Sequence, residues 1–256
     1  MTVATLQPLG FHVFALAVLS QSVLLKAATL PLKSQQRGGL RLNSSSEAAE
    51  HRRTGTATAV LVMLHPMDCS SAEFQRRVDK ADGNFASVLS DAGIDILYPE
   101  GHNWSDPPTR LPVHYSLEHE PTSSIEASFT NLLKPLLTEL RRSYQKIFVV
   151  GHSMGGNMAL QLLRLAPNEV DAIVSIHSFL LEDSKVWEEL QKPLLPVLLV
   201  RAQNDGYIPY EEVQTCYERM KSKGIDVSLK SFSTGDHPLQ GPELKHIAEW
   251  LAHLAS

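Results

Sequence analysis

Cysteine and surplus positive charge are both scarce in this chain. Its 256 residues include two cysteines, Cys69 and Cys216, which lie far apart in the sequence. Two cysteines provide neither a disulfide framework nor a cysteine-based zinc site. The formal net charge is −5 at pH 7 and the basic residues form no stripe, so nucleic acid is not an expected partner.

Basic residues are also missing ahead of the one long apolar run. Residues 9–25 contain no Asp, Glu, Lys or Arg, and their number is at the lower edge of what spans a membrane. We interpret residues 1–33 as an apolar targeting or anchor segment, with possible membrane contact through residues 9–25. A cleaved targeting sequence and a packed N-terminal helix are the alternatives, because a secretory signal normally carries basic residues before its apolar part.

Residues 34–58 are rich in Ser, Gln, Gly and Arg and contain few apolar side chains. This composition predicts a disordered linker, although a transit peptide has similar features. The basic residues after the apolar run favour a cytosolic C-terminus if that run spans a membrane uncleaved. The location therefore stays open between a membrane-anchored, cytoplasm-facing protein and one targeted to an organelle or a secretory compartment.

From residue 59 onward, strand patterns alternate with helical patterns. The predicted strands are residues 59–64, 94–98, 146–150, 171–176, 197–200 and 227–232. Such alternation predicts a mostly parallel sheet with helices on both faces. We expect residues 59–256 to form one compact α/β domain. Between residue 176 and the helix predicted near Asp183 there is no room for a lid domain.

The segment Gly151-His-Ser-Met-Gly155 joins a predicted strand to a predicted helix. A serine in a Gly-x-Ser-x-Gly motif at such a junction is the pattern of a nucleophile elbow, a tight turn that exposes the hydroxyl. Gly151 and Gly155 are required because a Cβ there would clash with neighbouring backbone. We therefore predict Ser153 as a nucleophile, with the Met154 N–H and the helix dipole favouring an oxyanion beside it.

Two side chains that could complete a catalytic triad follow later strands. Asp205 ends the fifth strand within an Asn-Asp-Gly turn, and His237 follows the sixth strand. In parallel sheets, active groups lie in loops beyond the carboxyl ends of the strands, and Ser, Asp, His is the chain order of an α/β-hydrolase triad. Asp183 is the rival acid, but its position is more typical of a helix cap. His246 and His253 share one face of the last helix, so we predict His237 as the base.

An oxyanion needs two N–H donors, and the loop after the first strand is the expected source of the second. Met67 is our candidate there, since Pro66 has no N–H. His65 and His152 border the site, and we expect them to shape its loops. We predict no cofactor and no metal, because the remaining histidines lack a metal-ligand spacing.

From Val60 to Leu251 the chain resembles the acyl-protein thioesterase and lysophospholipase-like carboxylesterases, a compact branch of the α/β hydrolases. Fungal-type serine hydrolases of similar size are a second possible family. The segments that are similar to the motifs of the first family are Leu64–Asp68, Asn103–Asp106, Gly151–Gly156, Asp205–Pro209 and Gly235–His237. Within them, Pro66 stands where that family has a glycine. The resemblance implies an α/β-hydrolase fold and a serine hydrolase.

Three apolar side chains are predicted to line an acyl groove. They are Trp104, on the long loop after the second strand, and Phe179 and Leu180, after the fourth strand; core packing is an equal interpretation for the leucine. The predicted function is cleavage of a carboxylic ester or thioester, with the acyl chain on a lysolipid, an acyl-protein or a small ester. The alternative is a catalytically inactive α/β-hydrolase-fold binding protein. The sequence does not predict the oligomeric state.

Overall fold

Six strands form one sheet in the computed structural model, which describes residues 57–67, 69–100, 122–190 and 195–256. The strands are β1 (Ala59–Leu64), β2 (Ile94–Leu97), β3 (Lys146–His152), β4 (Ala172–Ile176), β5 (Val197–Ala202) and β6 (Val227–Phe232). Their order in the sheet is β2-β1-β3-β4-β5-β6, and all neighbouring pairs are parallel. The predicted parallel sheet is confirmed, with β6 at one edge.

Helices lie between successive strands in the chain order, and the last one follows β6. They are α1 (Ser71–Ala81), α2 (Phe85–Asp91), α3 (Thr122–Ser128), a π-helical segment (Phe129–Leu133), α4 (Lys134–Leu140), α5 (Met154–Leu165), α6 (Val186–Glu189), α7 (Tyr210–Ser222) and α8 (Gly241–Ala255). A break separates α1 from α2 at Asp82, Gly83 and Asn84, which all have positive φ. None of the helices within the described residues is long and apolar enough to cross a membrane.

Alternate residues of each strand face opposite sides of the sheet, and each side has its own hydrophobic core. Val60 and Val62 of β1 pack in a cluster with residues of α4, α5 and α7. Leu61 and Met63 of the same strand pack in a second cluster with residues of α1, α2 and α8. Helices therefore cover both faces, as predicted for a compact α/β-hydrolase fold.

Some predictions were imprecise or fall outside the described residues. Strands β3 and β5 each extend two residues further than predicted; in β3 the extension is explained by pairing of Gly151 and His152 with Ser175 and Ile176 of β4. The predicted anchor, residues 1–33, and the predicted linker up to residue 56 lie outside the described residues.

Candidate active site

Loops at the carboxyl edge of the sheet surround a cleft of about 1130 Å³. All six strands run the same way, so the described residues that follow β1, β3, β4, β5 and β6 meet at this edge. The cleft is lined by residues of six segments: Pro66, Met67, Glu73, Phe74, Arg76, Arg77, Lys80, Ala81, His152, Ser153, Met154, Ser178, Phe179, Tyr207, Ile208, His237, Pro238, Leu239, Gln240 and Gly241. Ser153 and His237 thus share one cleft.

Ser153 occupies a strained turn between β3 and α5. Its φ is 55° and its ψ is −119°, a conformation that a residue with a side chain adopts at some energetic cost. The turn is held by a hydrogen bond from the Ser153 N–H to the Ile176 carbonyl, at 2.8 Å. A Cβ at Gly151 would overlap the Gly155 backbone, and one at Gly155 would overlap the Leu64 carbonyl. The steric reason inferred for both glycines is confirmed.

His237 and Asp205 are in direct contact. His237 Nδ1 lies 2.9 Å from Asp205 Oδ2 and 3.2 Å from Oδ1. The carboxylate also accepts hydrogen bonds from the Tyr207 and Ile208 N–H groups at 2.8 and 2.9 Å. Burial would raise the pKa of Asp205, but these donors, His237 foremost, hold the pKa below its ordinary value. Asp205 is therefore an anion that can orient His237, and Nδ1 of that ring carries a hydrogen.

The serine-to-histidine contact of a triad is not formed. In the described part of the chain, no hydrogen bond joins the Ser153 hydroxyl to the His237 ring, although both residues line the cleft. Such contacts often tighten only when a substrate binds. The rival acid Asp183 lies in an exposed turn after β4, whereas Asp205 contacts the imidazole. The catalytic roles of Ser153, Asp205 and His237 remain predictions.

The backbone of His237 is held on both sides. Its N–H donates to Asp236 Oδ1 at 2.7 Å, and the same oxygen accepts the Gly206 N–H at 3.1 Å. Its carbonyl oxygen lies 2.8 Å from both His152 Nε2 and His177 Nδ1. A carbonyl only accepts, so both of those ring nitrogens carry a hydrogen. The loop of the expected base is thus fixed to the loop of Asp205 and to the ends of β3 and β4.

His177 and Glu243 were missed by the sequence analysis. His177 Nε2 lies 3.0 Å from Glu243 Oε1, and both side chains are 0% exposed. His177 directly follows β4, so a search of every polar residue after a strand would have found it. Glu243 resembles an ordinary capping residue of α8, and its Oε2 does accept the Gln240 N–H at 3.0 Å. Nothing in the sequence indicates that its other oxygen reaches a histidine 66 residues away.

His152, expected to shape a loop, does bind the loop of His237. Burial, reinforced by the nearby His177 and His237, lowers the pKa of His152 to about 3. Its ring is therefore neutral at physiological pH and donates through Nε2. His152, His177 and His237 each offer a nitrogen within 4.8 Å of the others, but two of these rings already bond to the His237 carbonyl. The prediction that no metal is required is not tested by this arrangement.

The other predicted site residues have different environments. Met154 is the first residue of α5, so its N–H is one of those that a helix leaves without an internal partner, and Met67 lines the cleft with 42% exposure. Phe179 lines the cleft, but Leu180 is 3% exposed within the core. Leu180 is also missing from the cleft lining, so the structure favours core packing, the alternative interpretation given for this leucine, over a place in an acyl groove. Trp104 lies outside the described residues.

The cleft has a basic wall. Helix α1 contributes Arg76, Arg77 and Lys80 to its lining, against one carboxylate, Glu73. Arg76 and Arg77 both pair with Glu73, at 2.7 and 3.2 Å, which leaves a positive surplus on this wall. The surplus is local, because the whole chain has a formal net charge of −5.

Comparison with known proteins identifies sequence relatives of this chain. Lysophospholipase-like protein 1 from Mus musculus is 27% identical over 212 residues, which are 77% of this chain and 87% of that protein. Acyl-protein thioesterase 1 from Gibberella zeae is 27% identical over 112 residues, 42% of this chain and 47% of that protein. These relatives confirm the resemblance inferred from the motifs.

Solved structures show the same fold. Esterase PE8 superposes with a TM-score of 0.64 at 19% identity, covering 80% of this chain and 98% of that one. Arabidopsis thaliana SOBER1 gives a TM-score of 0.63 at 18% identity, covering 78% of this chain and all of that one. The dienelactone hydrolase family matches residues 94–245, more than half of the chain. This protein therefore belongs to the dienelactone hydrolase family, a family of hydrolases.

Proposed function

We propose that the protein is a serine hydrolase that cleaves carboxylic esters or thioesters through an acyl-enzyme, with Ser153, His237 and Asp205 as its triad. The observation that carries this proposal is the 2.9 Å contact between His237 Nδ1 and Asp205, beside a serine held on an elbow in the same cleft. That contact leaves Nε2 as the ring nitrogen available to the serine. A carboxylate, an imidazole and a partly exposed serine in one cleft suit acyl transfer.

Acylation starts with proton transfer from the Ser153 hydroxyl to His237 Nε2. The oxygen attacks the acyl carbon and forms a tetrahedral intermediate, while Asp205 stabilises the imidazolium. The intermediate collapses when the bond to the leaving group breaks, and His237 gives its proton to the departing alcohol or thiol. Water then attacks the acyl-serine with the same base, which releases the acid and restores Ser153.

The negative oxygen of the intermediate requires fixed donors. We assign this role to the backbone N–H groups of Met154 and Met67, because both residues line the cleft together with Ser153. The Met154 N–H also benefits from the dipole of α5. Losing one such donor typically reduces turnover by about 10²- to 10³-fold. Pro66 cannot replace Met67, because it has no N–H.

The substrate is proposed to be an acyl chain on a lysolipid, an acyl-protein or a small ester. Two relatives are named as a lysophospholipase-like protein and an acyl-protein thioesterase, which supports this class. In the cleft, Phe179 and the 73%-exposed Tyr207 supply apolar surface, and Trp104 stays a predicted third contact. The basic wall of α1 favours a substrate that carries a negative group away from the acyl chain.

Covalent labelling tests the proposed nucleophile. A fluorophosphonate should label the wild-type protein, and Ser153→Ala should abolish labelling and lower turnover by several orders of magnitude. The matched control is Ser178→Ala, because Ser178 also lines the cleft but does not lie on the elbow; this variant should still be labelled. Wild-type-like turnover in Ser153→Ala would refute the proposal, and labelling lost only in Ser178→Ala would assign the nucleophile to Ser178.

A panel of substrates then tests the reaction class. p-Nitrophenyl esters of graded chain length are compared with acyl thioesters of the same lengths. Hydrolysis of either series that depends on Ser153 supports the proposal. A folded wild-type protein that binds these acyl compounds without cleaving any of them would favour the inactive binding protein.

A further inference from the structure

A buried histidine and a buried glutamate stand behind the loop of His237. His177 and Glu243 are both 0% exposed, and His177 Nε2 lies 3.0 Å from Glu243 Oε1. The other nitrogen of His177, Nδ1, lies 2.8 Å from the His237 carbonyl oxygen. One imidazole therefore connects the loop of the proposed base to helix α8.

Neither residue touches the cleft, since both are missing from its lining. They cannot bind substrate directly. Burying an acid and a base is costly unless the pair is well hydrogen-bonded. In this pair both oxygens of Glu243 accept hydrogen bonds, Oε1 from His177 and Oε2 from the Gln240 N–H. His177 also has a positive φ of 48°, which is a further cost for a non-glycine residue. Such a costly arrangement next to the proposed base points to a positioning role.

We propose, resting on the function proposed above, that His177 and Glu243 form a charged clamp that holds the His237 loop in the position from which its ring can reach Ser153. His177 supplies the hydrogen bond to the His237 carbonyl, and Glu243 keeps the His177 ring oriented and charged. The clamp thereby sets the fraction of molecules in which the base is aligned. His177 and Glu243 are positioning residues, because they act through His237.

The partners of His177 explain why it carries a charge. The His237 carbonyl and the Glu243 carboxylate both accept hydrogen bonds, so both ring nitrogens are best satisfied when each carries a hydrogen. Burial lowers the pKa of His177, but the hydrogen bond to Glu243 and its negative charge raise it by more, so the pKa lies above the ordinary value.

Other titratable groups face the clamp from three directions. Asp205, after β5, lies 3.7 Å from His177 Nδ1 and adds a negative charge. The His152 ring, at the end of β3, and the His237 ring have centroids 5.5 and 5.8 Å from that of His177. His152 is neutral at physiological pH because its pKa is lowered to about 3. The carboxylates of Glu243 and Asp205 thus both lie close to the His177 ring, and their negative charges favour its protonated form.

Three variants of the full chain test the clamp. His177→Asn retains an amide donor at the place of Nδ1 but loses the pair with Glu243, and Glu243→Gln removes the negative charge. Each should lower kcat by about 10- to 100-fold with little change in KM, because a small misplacement of a reacting group is enough for such a loss. The double variant should be no worse than either single one, since both break the same unit.

The matched control for Glu243→Gln is Glu249→Gln, a change of the same type on the same helix. The Glu249 side chain is 56% exposed and lies 4.0 Å from Lys245, so kcat should stay at the wild-type value. Additive losses in the double variant, or folded single variants with wild-type kcat, would overturn the clamp.

The pH profile separates positioning from general stability. In the wild-type protein, kcat should fall as alkaline pH removes the proton of His177. In His177→Asn, kcat should be low at every pH and should not show this alkaline fall. NMR of the histidine ring nitrogens follows the deprotonation directly. If both variants fail to fold, the proposal is tested on the wild-type protein only. A wild-type kcat that stays constant over the pH range in which His177 loses its proton would overturn the proposal.

Failure of the clamp differs from failure of the proposed function. If Ser153→Ala removes labelling and turnover but the clamp variants behave like the wild type, the serine hydrolase stands and the clamp is refuted. If the wild-type protein is neither labelled nor active, the proposed function fails, and with it the clamp as a positioning device.

Discussion

Lowering the pH from 7 to 5 should destabilise the wild-type protein by about 2 kcal/mol more than the variant His152→Gln. The wild-type His152 ring is 4% exposed, and burial next to His177 and His237 lowers its pKa from 6.5 to about 3. In the folded protein this ring stays neutral down to low pH, whereas in the unfolded chain it gains a proton below pH 6.5. The unfolded state then binds more protons, so the free energy of unfolding falls as the pH falls.

The size of the effect follows from the two pKa values of His152. Each pH unit between them is worth about 1.4 kcal/mol, and the 1.5 units between pH 6.5 and 5 correspond to about 2 kcal/mol. Gln is the matched replacement because its amide nitrogen can occupy the place of Nε2 and still donate to the His237 carbonyl, which lies 2.8 Å from that nitrogen. Gln does not titrate. Other histidines remain in both proteins, so their contributions cancel in the difference.

Urea unfolding followed by circular dichroism at pH 7, 6 and 5 measures this difference. The free energies of the two proteins should diverge as the pH falls, with the wild type losing more. Parallel curves over this range would refute the assignment of His152 as a buried neutral ring. A wild-type curve that is flatter than that of the variant would show that His152 is protonated in the folded state.

The remaining predictions concern the triad and the basic wall. His237→Ala should nearly abolish turnover, and Asp205→Asn should reduce turnover less. Asp183→Asn, at an exposed turn, should leave turnover unchanged. If rate measurements show a loss of turnover only in Asp183→Asn, the acid of the triad is Asp183. Lys80→Glu should raise KM about two- to five-fold for an anionic ester relative to an uncharged ester of the same chain length, because exposed charges have modest effects. Equal KM ratios in wild type and variant would contradict a role of the wall in substrate preference.

The features that the sequence predicted well depend on local patterns. The elbow is recognisable because the apolar, β-branched run stops before Gly151 and a helical pattern starts after Ser153, all within a few residues. Asp205 and His237 were expected at the carboxyl edge of the sheet because each lies in the loop after a strand, and parallel strands bring such loops together. Their 2.9 Å contact agrees with that expectation, although their catalytic roles still await the experiments above.

What the sequence could not predict depends on packing across the fold. Leu180 is an apolar residue in a short loop, and its composition fits an acyl groove as well as the core; only the fold shows that it packs in the core. The contact of His177 with Glu243 joins the end of β4 to the first turn of α8. Its geometry depends on how α8 lies against the sheet, which no local pattern specifies.

His152 connects the two parts of the site that the sequence treats separately. It directly precedes Ser153 on the elbow, and its ring donates to the backbone of His237, 85 residues later. A shift of the elbow therefore acts on the loop of the base, because a 2.8 Å hydrogen bond tolerates little displacement. His177, directly after β4, binds the same carbonyl, so the ends of two neighbouring strands hold one oxygen atom. The alignment of the proposed nucleophile and base is thus determined by the central strands of the fold, even though His237 itself lies on a loop.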